Sequence, residues 1–202
     1  PKGEKKPVNC VTWWDAIYYC NKMSKKYNLE PVYNITYDDF DKVILKINQI
    51  GESPIEPDKA DFRKTEGFRL PTEVEWEWFA RGGEVAIQDG TFDKEYAGSD
   101  NIEKVAWYSS NSGNQTHEVG TKLPNQLGLY DCSGNIWECC YDTSIQNIQN
   151  GLAYIYDKNQ SIIRVKGGSW NFNASSCAIV HRNCGGSTIR YKGYGFRLVR
   201  TV

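Results

Sequence analysis

The sequence predicts an α+β domain of low regular secondary structure, two helices with small antiparallel sheets. Three observations carry that reading. Capping-box patterns at Thr12 and Thr72 each precede residues of helical apolar spacing. After Gly83 the residues Gly, Asn, Ser and Asp recur every few positions, and no long helical period follows. Two short strand-like runs, Ile162 to Lys166 and Gly195 to Val199, bracket an irregular stretch near the end.

The first helix follows Thr12, with Asp15 completing the capping box and Trp14, Ile17 and Tyr18 sharing a face as far as about Lys26. Residues 34 to 67 are polar and mixed, with Pro54 and Pro57 as breakers, and Tyr37 to Leu45 reads either as a short strand or as a helical turn. The second helix begins at Thr72, with Glu75 at capping-box spacing, Val74 and Trp78 on one face, and Gly82-Gly83 as its stop. The stretch between the two late strands lacks either hydrophobic period. A long irregular segment inside a domain is usually a functional loop, because its ordering entropy has to be offset by surrounding contacts.

Lys plus Arg (24) nearly balance Asp plus Glu (25), so no single-sign field is available to hold nucleic acid or an anionic bilayer. No apolar run reaches membrane-spanning length. The expectation is a soluble body, attached to a membrane only through a lipid anchor upstream of Pro1. Seven Trp and thirteen Tyr supply bulky side chains for a core and for a recognition surface. The seven cysteines, Cys10, Cys20, Cys132, Cys139, Cys140, Cys177 and Cys184, contain no CxxC, and most read as buried small hydrophobes.

Six blocks, in order, resemble the formylglycine-generating-enzyme branch of the C-type lectin-like fold: Pro7 to Ala16, Gly67 to Trp78, Leu123 to Asp131, Gly134 to Glu138, Lys166 to Trp170, and Gly195 to Val199. The resemblance implies one domain over residues 1–202, with a peripheral insertion at about 34–62. It also implies a two-cysteine copper site just after the Gly-Gly-Ser-aromatic block, which activates oxygen to oxidise a substrate cysteine. That chemistry needs both soft thiolates. In this sequence the first thiol position falls on Phe172 and the second on Cys177, while Cys184 lies outside the family's spacing. The expectation is therefore a protein that is not an enzyme. A formylglycine-generating-type oxidoreductase and a catalytically silent structural member stand as alternatives.

Residues 169–196 also resemble the variable region of proteins diversified by retroelements, in which template adenines, often in Asn codons, are rewritten. The mixture at Phe172, Asn173, Ser176, Ile179, His181, Asn183, Cys184, Gly185, Gly186, Ser187, Ile189, Tyr191 and Tyr194 fits that source. Gly167 to Trp170 and Gly195 to Arg197 would be the fixed frame, presenting these side chains as antibody paratopes present theirs. The reading is a bacterial cell-surface or secreted protein that binds a protein or other macromolecular ligand and no nucleic acid. No cofactor is required. A candidate structural calcium site, implied by the resemblance, falls on Asp131, Gly134, Ile136 and Glu138, whose hard oxygen donors suit that ion.

Overall fold

The computed structural model describes residues 5–143, 154–157, 159 and 161–201. Helix α1, Trp13–Lys26, begins at the expected capping box: Asp15 N donates to Thr12 Oγ1 at 3.0 Å and Thr12 N donates to Asp15 Oδ2 at 2.8 Å. Two orphan donors of the first turn are thereby satisfied. The inward face is Trp13, Ala16, Ile17, Cys20 and Ser24, so the stripe runs one residue earlier than Trp14, Ile17 and Tyr18 would place it. Trp13 sets this register by donating its indole N–H to the Cys140 carbonyl at 2.9 Å, and Tyr18 is left exposed.

The undecided stretch after α1 is an antiparallel hairpin, β1 Tyr33–Tyr37 and β2 Val43–Ile47, in register from Tyr33↔Ile47 to Tyr37↔Val43. Its tight end is closed by Asp38, whose Oδ1 accepts from Phe40 N and Lys42 N, with Asp41 in the left-handed region at φ 58°. Tyr33, Leu45, Ile47, Ala60 and Phe62 enter the main core beside Trp13, Trp137 and Tyr141. The stretch 34–62 is thus not peripheral throughout. Alternate hairpin residues and the turn at Phe62 wall one side of the core, each large buried side chain contributing roughly 1.5–3 kcal/mol.

Strand β3, Phe68–Arg69, leads to α2, Glu73–Ala80, whose Thr72–Glu75 capping box also forms. Here the inward face is Glu73, Trp76 and Ala80, and Val74 and Trp78 point outward, 47% and 45% exposed. The expected face is corrected by partners distant in sequence: buried Glu73 pairs with Arg182 and Arg164, and the Trp76 indole donates to Glu138 at 2.7 Å. Gly82, at φ 94°, stops α2 but is also the N-cap of a further short helix, α3, Gly83–Gln88; a single turn, α4, spans Ile102–Val105.

The second half is loop-rich, as expected, around a sheet of order β6-β5-β4-β7. It is made of β4 Trp137–Cys139, β5 Ile162–Lys166, β6 Asn183–Gly186 and β7 Tyr194–Gly195. β4 pairs antiparallel with β5 and parallel with β7, while β5 pairs antiparallel with β6. The run read as one strand from Gly195 to Val199 divides. β7 stays in this sheet, and β8, Val199–Arg200, leaves to pair with β3. Arg197, between them, is drawn inward by Glu138, with contacts of 2.7 and 2.8 Å, which fits the break in pairing.

Candidate functional site

The segment from Gly167 to Gly195 leaves β5, crosses the molecular surface and returns as β7. Its entry is fixed by backbone. Gly167 and Gly168 adopt φ 91° and 78°, and a Cβ at Gly168 would stand 2.8 Å from Cys177 Cα, so glycine is required there. Gly134 N donates to Gly167 O at 2.7 Å, Trp170 N to Asn135 O at 2.9 Å, and Ser109 N to Phe172 O at 2.9 Å. The exit is fixed as tightly: a Cβ at Gly195 would meet Val8 O at 2.4 Å. The two ends are joined through Asn171, which holds Ser169 Oγ on its Oδ1 and donates Nδ2 to the Tyr191 hydroxyl.

Inside this frame Asn173 caps a short 3-10 turn, Ala174–Cys177, by accepting from Ser176 N at 3.1 Å. The chain then runs through β6 to Ser187, whose carbonyl accepts from Trp13 N at 3.1 Å. Three of the thirteen positions assigned to the ligand face are buried and are corrected. Ile179, 1% exposed, packs among Trp76, Ala80, Ala97, Cys132 and Cys140. Ser176 turns its hydroxyl onto Asn173, and Ser187 is pinned against α1 and Ser161. Codon reachability carries no information on burial, and each of these contacts comes from a distant or capping partner.

The remaining ten reach the surface wholly or in part. Asn173, Cys184 and Ile189 are exposed; Phe172, His181, Asn183, Gly185, Gly186, Tyr191 and Tyr194 are half-buried. Several of them are tied to one another or to Trp137. Phe172 stands edge-on to Trp137 at 5.3 Å between ring centres, and the His181 ring lies 5.8 Å from the same indole. Tyr191 and Tyr194 meet edge to face at 5.0 Å, and the Tyr194 hydroxyl donates to the Cys184 carbonyl at 3.4 Å. Val180 and Thr188 are exposed on the same stretch, and no sequence pattern singled them out. The larger clefts lie elsewhere: one of about 860 Å³ is lined by Phe62, Arg69 and Tyr154, and one of about 720 Å³ by Tyr18, Asn21 and Tyr33. Among the described residues, none of the ten surface side chains lines either.

Ion pairs hold the segment from below. Arg182 meets both Glu73 oxygens, at 2.5 and 2.6 Å, and Lys166, fully buried, lies 3.2 Å from Glu77. Desolvation and then the charge of Lys166 depress the His181 imidazole below its usual range, so it presents a neutral ring at pH 7.

The copper chemistry implied by the resemblance does not fit these residues. Phe172 offers no ligand. Cys177 is 0% exposed among Tyr96, Tyr108 and Ala178, and burial pushes its thiol up to about 12, so it stays protonated at neutral pH. The calcium donors do not fit either. Both Glu138 oxygens are taken by Arg197, one of them also by the Trp76 indole, while Asp131 accepts from Gly120 N at 2.8 Å. The guanidinium already cancels one of the two carboxylate charges on which a divalent cation would depend. Among the described residues no cluster of three His, Cys, Asp or Glu side chains is placed to hold a metal.

Comparison with known proteins places the fold and the family. Residues 1–202 match the Sulfatase-modifying factor enzyme 1-like domain. The structure of Treponema denticola variable protein 1 superposes with a TM-score of 0.75 at 35% identity, covering 98% of this chain and 73% of that one. The "Chaperone protein LppX" of Paenibacillus barcinonensis is 39% identical over 163 residues, 70% of this chain and 53% of that protein. The formylglycine-generating enzyme of Thermomonospora curvata is 34% identical over 94 residues, 38% of this chain and 27% of the enzyme. The chain thus spans about half the length of the Paenibacillus relative and about a quarter of the enzyme. With the domain match running end to end and the fold shared with the Treponema protein, the chain belongs to the sulfatase-modifying factor, or formylglycine-generating-enzyme-like, family of C-type lectin-like domains.

Proposed function

We propose that the protein is a ligand-binding variable protein of a diversity-generating retroelement, presenting the surface side chains of 169–196 to a protein or other macromolecular ligand at a bacterial surface or in secreted form. One observation carries the proposal: within a single segment, backbone-determined residues such as Gly168 and Gly195 alternate with aromatic, His and Asn side chains that reach solvent. Side chains on a fixed backbone can differ without unfolding the domain, and Tyr and Phe give large contact area at low entropic cost. A face outside the main clefts suits a macromolecule better than a small ligand. The likeness to the Treponema variable protein supports the same reading.

The similarity to a formylglycine-generating enzyme favours oxidation of a substrate cysteine as the second reading. Phe172 and the buried, protonated Cys177 weigh against it. Two measurements separate the readings. The domain, probed against an array of bacterial and host surface proteins, is expected to retain partners that a Phe172→Ala/His181→Ala/Tyr191→Ala/Tyr194→Ala variant loses while keeping native circular dichroism. Partners held equally by both proteins would sink the proposal. Copper-dependent oxygen uptake on a cysteine peptide, abolished in Cys177→Ser, would establish the oxidase instead.

A further inference from the structure

The glycines of the segment divide by what excludes a side chain. At Gly167 and Gly168 the backbone itself does, through positive φ and main-chain neighbours. Gly185, Gly186 and Gly193 have φ outside the left-handed region, so an L residue is conformationally admissible at each. What stands in the way is a side chain of the same segment. A Cβ at Gly185 would lie 2.6 Å from Tyr194 Cε2, at Gly186 2.7 Å from Ile189 Cγ1, and at Gly193 2.7 Å from Tyr191 Cε1. Two of these glycines sit in β6, opposite Ile162 and Ile163 of β5, where a glycine otherwise only weakens a strand.

We infer that the relief of this face is set by three large-and-small pairs, Tyr194 with Gly185, Ile189 with Gly186 and Tyr191 with Gly193, which act as specificity-determining units rather than as six independent positions. Each bulky residue is seated on the space its glycine leaves open. Bulk can move from one member to the other, shifting a knob across the face while the frame of Gly168 and Gly195 stays put. Enlarging the glycine alone leaves two side chains competing for one volume, and overpacking is destabilising. Gly193, which no sequence pattern marks as exchangeable, joins the set through Tyr191, although Ser169 Oγ at 3.0 Å is a second obstacle there. The functional meaning of the pairs rests on the ligand-binding reading; the pairing itself does not.

The test compares exchange within a pair against enlargement alone. Gly185→Phe is expected to lower Tm by roughly 3–10 °C, and Gly185→Phe/Tyr194→Gly to recover most of that loss. Gly186→Val is likewise expected to lower Tm and Gly186→Val/Ile189→Gly to recover it, while Gly168→Ala, opposed by backbone, should not be rescued by Ile189→Gly or Tyr194→Gly. A Tm unchanged in Gly185→Phe, or a double variant as unstable as the single, overturns the pairing. Because the readout is folding, that failure leaves the ligand proposal standing. Rescued folding together with unaltered partner choice on the surface-protein array would instead count against specificity.

Discussion

Asp142 sits where the buried end of α2 meets the segment that follows β4, and its carboxylate accepts from Glu73 N at 2.7 Å and from Ile155 N at 2.9 Å. Burial, partly countered by those two bonds, raises its pKa to about 6. A carboxyl that holds its proton more tightly when folded favours the native state while it stays protonated. The benefit is complete below the ordinary carboxylate range and is lost as pH rises through about 6. Between pH 4 and pH 7 unfolding free energies of the native protein should therefore fall relative to those of Asp142→Asn, by on the order of 2–3 kcal/mol. Parallel pH profiles for the two proteins, measured by urea unfolding, would refute this. The same scale explains why the calcium expectation does not fit: Asp131 and Glu138 are visible in the sequence, but nothing local to them shows that Arg197, far along the chain, occupies Glu138.

Helix starts were legible because a capping box is local: the four residues from Thr12 and the four from Thr72 contain both the donors and the acceptors. Replacing Thr72 by Ala should cost about 1 kcal/mol, read as a fall of roughly 2–4 °C in Tm, with Val74→Ala, on the exposed side, changing little. A larger effect at Val74 than at Thr72 would mean that the outward face of α2 is covered. Which face of α2 turns inward was not legible, since Glu73 is buried only because Arg182 and Arg164 arrive from more distant strands and loops. β5 could be read from its own run of Ile and Val. β6 could not, because Asn183, Cys184, Gly185 and Gly186 have no strand preference of their own and pair through β5. Which side chains of the late segment reach solvent was legible only as far as composition marks it, and the expectation failed at Ile179, Ser176 and Ser187, where seats elsewhere in the fold decide burial.

Across the whole molecule the cores around Trp13 and Trp137, around Trp76, and around Cys177 between them enclose five cysteines, leaving Cys10 and Cys184 exposed. A thiol reagent should therefore label two cysteines in the native protein and all seven after unfolding. Rapid native labelling of Cys177 would contradict both the burial and the frame built on it. The order of the chain matters as well. The groups that receive the segment after Gly167, among them Ser109, Glu95, Asn135, Trp13 and Cys10, all precede it in sequence. During synthesis those partners are made before the segment that docks on them. A change of side chain on the exposed part of the segment leaves the sequence of the groups it docks on untouched.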